Sequence, residues 1–283
     1  MKYKNLLAAL FCLVCFSATA QDNFLLARQF VLHKGDTLNV HLLGGDQFKI
    51  IDEFKYDAAK TQKFMLYDNG KKINLMTTAK DSASPIYSGK LLNQGLVMVE
   101  LVRNVPPTPI DREIYAKYLT DEGLTKLAES VNNSNQQNFR EKKICYLKTL
   151  VMVDKNTGGD FDKPTGQDYE IVLKRNPYKL NYGEDVVGAL LLKGKPVKNT
   201  SIDVFLRTIS GTIYPQRLTT DEKGEFSIIM SREGAYMIRS VITKASTTNE
   251  ADFETIETAF TFVFNSQNDS PNSFKEFGMG DLH

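Results

Sequence analysis

The chain has 283 residues, with 35 Lys and Arg against 34 Asp and Glu, three Cys and no Trp. A near-neutral balance without a long single-sign run gives no electrostatic footprint for nucleic acid, and the lack of Trp disfavours the aromatic platforms of sugar-binding sites. The length is enough to bury sizeable cores, about two domains' worth.

Residues 1–20 carry Lys2 and Lys4, an apolar run from Leu6 to Phe16, and the small-residue end Ser17-Ala18-Thr19-Ala20. This is the build of a secretory signal peptide with an Ala-x-Ala type of cleavage site. The apolar run is too short for a permanent membrane span, which needs roughly 20 residues. Bulky Val14 before Cys15 disfavours lipoprotein processing. The expectation is a protein starting near Gln21, periplasmic or extracellular, with no stable membrane insertion. Cleavage removes Cys12 and Cys15 and leaves Cys145 alone, so no internal disulfide is expected. Loss of Lys2 and Lys4 leaves 33 basic against 34 acidic residues.

Most of the remaining chain reads as short strands. Leu38, Val40 and Leu42 alternate with Asn39 and His41, the period of a half-buried strand. Phe64 to Tyr67 and Ile73 to Met76 flank Asp68-Asn69-Gly70-Lys71, and Asn-Gly supplies the positive φ values of a tight hairpin. Gly95 to Arg103 is a β-prone strand, expected to end at Pro106, Pro107 and Pro109. Asp111 can cap a helix with Ile114, Tyr115, Tyr118 and Leu119 on one side, stopped by Gly123. Leu124, Leu127, Ala128 and Val131 form a second short helical stripe. Asn132 to Asn138 is loop-like, Phe139 to Lys143 fit one more helical turn, and strand character returns at Thr149 to Val153.

After a linker at 154–167, seven strands follow: 169–173, 185–192, 201–207, 213–218, 226–230, 235–241 and 255–264. Their spacing and alternation predict an immunoglobulin-like β-sandwich. Between two of them, Asp221 can bond the backbone ahead of it and Gly224 can take the left-handed position of a structural turn. The fold expected is mainly β: two β-sandwich domains, the first (21–153) with a short helical insertion at about 110–143, the second at 168–264. A disordered tail is expected at 265–283.

The search for chemistry returns little. No Gly-x-Ser-x-Gly, His-Glu-x-x-His or Walker phosphate loop is present. Gly194-Lys195-Pro196 lacks the upstream glycine of a phosphate loop, and Asp221 to Gly224 lacks the twelve-residue calcium loop. Cys145 lies in an apolar strand entry, the setting of a buried structural thiol. Beyond His283, the remaining histidines are His33 and His41. They are the candidate metal ligands if the His33 segment pairs beside the strand of His41, and two surface histidines otherwise. No cofactor and no catalytic residue is indicated, and a carboxylate-based hydrolase has no singled-out acid pair.

Ala116 to Leu124, Arg140-Glu141, Tyr146 to Val151, Glu170 to Leu173 and Asn176-Pro177-Tyr178 form a signature. It resembles a large bacterial envelope family of unknown function, often described as periplasmic components linked to nickel or cobalt uptake. Gly194-Lys195-Pro196-Val197, Thr220-Asp221 with Gly224 and Phe226, and Gly234 with Tyr236 resemble a carboxypeptidase-regulatory-like β-sandwich. The resemblance implies an exported, non-enzymatic binding or accessory protein of the cell envelope. Its ligand would be a divalent metal, an envelope protein or transporter, or a glycan. The alternative is a structural or interaction module without a small ligand. That family typically opens on His–acidic–Phe–Trp–Leu; here the stretch is Asp22-Asn23-Phe24-Leu25-Leu26, with Asp22 and Leu25 in place of the histidine and tryptophan. A histidine beside a free amino terminus suits nickel, and an aspartate suits it less.

Overall fold

A computed structural model describes residues 22–266. The expected signal peptide and all but the first two residues of the expected tail lie outside the described residues. In chain order the strands are β1 (Asp22–Ala27), β2 (Val31–Leu32), β3 (Thr37–Asp46), β4 (Lys49–Phe54), β5 (Thr61–Asp68), β6 (Lys71–Asn74), β7 (Tyr87–Lys90) and β8 (Gly95–Asp111). Helices α1 (Arg112–Asp121) and α2 (Thr125–Asn132) precede the long β9 (Asn138–Val153). Then come β10 (Tyr169–Leu173), β11 (Asp185–Leu192), β12 (Lys195–Pro196), β13 (Ser201–Arg207), β14 (Ile213–Thr219), β15 (Glu225–Ile229), β16 (Gly234–Ala245) and β17 (Phe253–Phe264).

These strands make three sheets. A nine-stranded sheet runs β14-β13-β16-β17-β9-β8-β5-β6, with β2 also on β9. A four-stranded sheet gathers β1, β4 and β7 around β3, and another gathers β10, β12 and β15 around β11. The large sheet is the middle layer of the molecule, because alternate residues of its strands enter two different cores. In β8, Val97, Val99 and Leu101 pack with Phe24, Leu38 and Val40 of the first outer sheet. Leu96, Met98 and Val102 pack with Ile171, Val186 and Leu190 of the second. Both cores are continuous runs of buried aliphatic and aromatic side chains, and burying each one is worth roughly 1.5–3 kcal/mol. Cys145 is unpaired, so these cores and no covalent staple hold the described residues together.

The fold is mainly β, as the alternation predicted, and its two sandwiches share their middle layer. The linker at 154–167 divides the halves in sequence, but in space β9 of the first half pairs in parallel with β17 of the second, from Phe253↔Glu141 to Thr261↔Thr149. Buried Lys148 also donates to Glu170 across the sheets at 2.6 Å.

Local expectations are met at several points. Asn69 (φ 49°) and Gly70 (φ 77°) turn the β5–β6 hairpin. Asp111 caps α1 by accepting from the Glu113 and Ile114 amides. Three readings need correction. First, β8 continues through its prolines to Asp111. A register shift between Val105 and Thr108 absorbs Pro106 and Pro107, and β5 pairs with β8 only as far as Arg103. Past that point β8 has a strand partner on one side only, where a residue without an N–H is tolerated. Second, Phe139 to Lys143 are the start of β9 and not a helical turn, so the helical insertion ends at Asn132. Here Phe139, Glu141 and Lys143 are buried in strict alternation, and two of the three are charged. Third, the strand expected over 73–76 stops at Asn74, whose side chain caps a 3-10 turn at Leu75–Thr77. Strands β1, β2, β4, β7 and β12 were not read as strands in the sequence.

Candidate functional site

On the face of the central sheet that meets β1, residues alternate into the first core, and some of these inward positions are charged. Arg239 of β16 is 2% exposed. Its Nη2 lies 2.8 Å from Asp22 Oδ1 and 2.7 Å from Glu122 Oε1, and its Nε lies 2.8 Å from Glu257 Oε1. Its Nη1 donates to Glu122 Oε2 at 3.1 Å and stands 3.5 Å from Asp203 Oδ2. One guanidinium therefore faces carboxylates from β1, the end of α1, β13 and β17. A fixed planar fork of five N–H groups suits that task, whereas an ammonium would not.

Each carboxylate is placed by its element. Gly123 (φ 76°) ends α1, with its amide donating to Thr120 O and the Leu124 amide to Leu119 O. This turn leaves Glu122 on the Arg239 side. Asp22 Oδ2 accepts from the Gln47 amide at 3.2 Å, which ties β1 to the β3–β4 hairpin. That hairpin turns on Gln47 (φ 48°) and Phe48 (φ 69°), a left-handed pair without glycine. Burial of Phe48 and the Asp22 contact hold it. Asp203 Oδ1 accepts from Arg217 Nε at 2.6 Å, and Arg217 Nη2 donates to Asp121 O at the carboxyl end of α1.

Burial is the largest influence on the Asp22 carboxyl. With help from Glu257 and Glu122 it lifts the group to about 7, against the pull of Arg239 and Lys143. Burial also pushes Glu122 upward, but the charge and hydrogen bonds of Arg239, with Lys143 and Arg217, hold it below the ordinary value. Burial raises the phenol of Tyr118 far above its usual range, so it stays protonated.

Above this cluster lies an open cleft of about 500 Å³ between the β3–β4 hairpin, α1 and β13–β14. Arg239, Asp22, Glu122 and Asp203 are in its floor, Ile51, Ile114, Phe205 and Pro215 give it apolar walls, and Asp46, Lys117 and Asp121 stand at its edge. Tyr118 also lines it. Tyr118 is 8% exposed, and its buried hydroxyl has no hydrogen-bond partner. A buried unpaired hydroxyl costs about 1–3 kcal/mol. A second groove of about 420 Å³, with Ile144, Ile242 and Ile256 in its lining, has no such buried charge cluster.

The structure does not bring His33 and His41 to a common ligand. His33 Nδ1 lies 2.8 Å from Asp154 Oδ1, and His41 Nδ1 lies 2.8 Å from Glu53 Oε1, which also accepts from Ser84. Among the described residues no group of three or more His, Cys, Asp and Glu is placed to hold a metal ion. Cys145 is fully buried 3.6 Å from Glu257 Oε2, and burial with that carboxylate pushes its thiol up. Asp221 Oδ1 accepts from the Lys223 and Glu225 amides at 2.8 Å. Gly224 (φ 73°) closes the turn, and a Cβ there would lie 2.9 Å from Pro196 Cβ and the Val197 amide. Sequence reading named Asp22, Ile114 and Tyr118 but gave no site role to Glu122 or to the strand residues Arg239, Asp203 and Glu257. Their signal is a charged residue inside an apolar strand, as at Asp203 between Ile202 and Val204, or Glu257 next to Ile256.

No curated protein matches the chain. A solved structure described as a tetra-tandem repeat in the extending region of a large adhesion protein aligns at 11% identity over 89% of this chain and 51% of its own, with a TM-score of 0.22. The D0-D1 domain of Intimin aligns at 9% identity over 86% of this chain and 98% of its own, also with a TM-score of 0.22. The chain thus spans about half the length of the first, and neither superposes closely enough to bear on fold or partner. The sequence itself is decisive at family level: residues 18–244 match the domain of unknown function DUF4198, and the chain belongs to that family.

Proposed function

We propose that this protein is an exported, non-enzymatic binding module of the cell envelope, which takes its ligand in the cleft above Arg239. The observation that carries the reading is the cleft itself: about 500 Å³, open, with apolar walls over a buried ion cluster and an orphaned Tyr118 hydroxyl. That mix of apolar lining and a few placed polar groups is the build of a ligand site. A hydrolytic role draws no support from the same residues. The floor carboxylates are tied to Arg239, and Cys145 is sealed in the core. Export rests on the basic, apolar and small-residue pattern of residues 1–20.

The divalent-metal version rests on the resemblance to nickel- and cobalt-linked envelope proteins. Asp22 stands where that group has its histidine, and it is committed to Arg239 and the Gln47 amide. The carboxypeptidase-regulatory-like reading of the second half is supported by the Asp221–Gly224 turn.

Two measurements test the proposal. The intact mass of protein recovered from the envelope fraction should lack residues 1–20; recovery of full-length protein in the cytoplasm contradicts export. Low-molecular-mass fractions of an envelope extract should raise the Tm of the wild type, since a ligand stabilises the state it binds. They should leave Ile51→Arg, which fills the cleft, unshifted. An equal shift in both proteins, or none in either, overturns the cleft as the binding site.

A further inference from the structure

Resting on the binding-module reading, we infer that the cleft recognises an organic cation: a primary ammonium or guanidinium group carried on an apolar body. Five carboxylates line the cleft (Asp22, Asp46, Asp121, Glu122 and Asp203) against three cations, Lys117, Arg217 and Arg239. With Asp22 protonated, an excess of negative charge remains. The positive groups are also the ones already committed. Arg239 donates from Nε to Glu257 and from Nη1 and Nη2 to Glu122, and it also forms ion pairs with Asp22 and Asp203. Arg217 donates to Asp203 and to Asp121 O, and Lys117 is paired with Asp121. An anion entering the cleft would find few donors and several repelling charges.

Acceptors, by contrast, are available. Asp46 makes no ion pair among the described residues and stands at the cleft edge, next to the left-handed turn at Gln47 and Phe48. Tyr118 offers a buried hydroxyl with no partner, protonated and able to accept from an ammonium group. Ile51, Ile114, Phe205 and Pro215 give the cation's apolar body a surface to lie on. A divalent metal fits less well. It needs several oxygens free to converge, while Asp22, Glu122 and Asp203 are held by arginines.

The test is calorimetric titration of the full chain with hexylammonium, hexanol, hexanoate, nickel chloride and acetyl-Leu-Lys-Leu-amide. Hexylammonium should bind at least ~10-fold tighter than hexanol, the fold-change of one charge-assisted hydrogen bond of about 1.5 kcal/mol, and hexanoate should bind weakest. Tyr118→Phe should lower hexylammonium affinity several-fold while keeping or raising Tm, because the fold loses only an unsatisfied hydroxyl. A purely packing role for Tyr118 predicts the Tm gain without the affinity loss. Lys117→Glu, on the exposed side of α1, should tighten hexylammonium by up to about fivefold, the worth of a surface charge. Whether the free amine or the lysine peptide binds tighter assigns the source of the cation. Equal binding of hexanol and hexylammonium, tighter binding of nickel, or indifference to both substitutions overturns the inference. If extract fractions still stabilise the wild type and not Ile51→Arg while hexylammonium fails to bind, the cation is wrong and the binding module stands.

Discussion

Arg239 and Asp22 show how a buried charge can organise a site. Removing one partner of a buried ion network leaves the others uncompensated, at a cost of roughly 3–5 kcal/mol. Arg239→Met is therefore expected to lower unfolding stability by about that amount in urea titrations at pH 7; a loss under about 1 kcal/mol would mean that water already screens the cluster. Asp22 adds a pH dependence. Its carboxyl titrates near 7 in the folded protein and near its ordinary 3.8 when unfolded. Between those values the folded state holds a proton that the unfolded chain has released, so this group's contribution to stability falls as pH rises from about 4 to about 7. Subtracting the stability-versus-pH curve of Asp22→Asn from that of the wild type should isolate that fall. A flat difference across this window would show that the attraction of Arg239 outweighs burial.

At the scale of elements, caps and turns set where the site residues stand. Asp111→Ala removes two hydrogen bonds at the start of α1, and Gly123→Ala forces a side chain into a φ of 76° at its end. Each should cost about 1 kcal/mol of stability in denaturant unfolding. Gly123→Ala should also weaken cleft binding, because it displaces Glu122, while Asp111→Ala should not; equal effects on binding would contradict the placement. Elements were legible in the sequence where inward positions were apolar. Apart from the two-residue β12, the strands over 169–264 were read to within a few residues because Val, Ile, Leu and Phe alternate or run together between Gly and Asn turns. The opening of β9 was not, because Glu141 and Lys143 occupy inward positions and disguise the period. The β3–β4 hairpin was hidden for a related reason. Its turn is Gln47-Phe48, held in left-handed conformation by tertiary contacts and not by Asn-Gly. The cleft borders that hairpin, and its charged residues come from β1, β3, α1 and its C-terminal turn, β13, β14 and β16, too far apart in the sequence to read as one motif.

For the whole molecule, the shared middle sheet decides cooperativity. The parallel pairing of β17 with β9 and the two cores on opposite faces of one sheet leave neither half a complete sandwich. A single unfolding transition is expected, with tyrosine fluorescence and far-ultraviolet circular dichroism coincident in denaturant. Two separated transitions would mean that the halves are independent units. The same architecture fixes the cleft, since Arg239 and Asp203 in its floor belong to the central sheet, while Asp22, Ile51 and Ile114 come from the first outer sheet and α1. The most direct measurement is a two-dimensional amide NMR titration of the isotope-labelled full chain with hexylammonium. Shift changes should cluster at Asp46 to Ile51, Ile114 to Gly123, Asp203 to Phe205 and at Gln216 and Arg217. Changes spread evenly over the molecule, or gathered on the far face around Ile144, Ile242 and Ile256, would contradict the assignment of this cleft as the binding site.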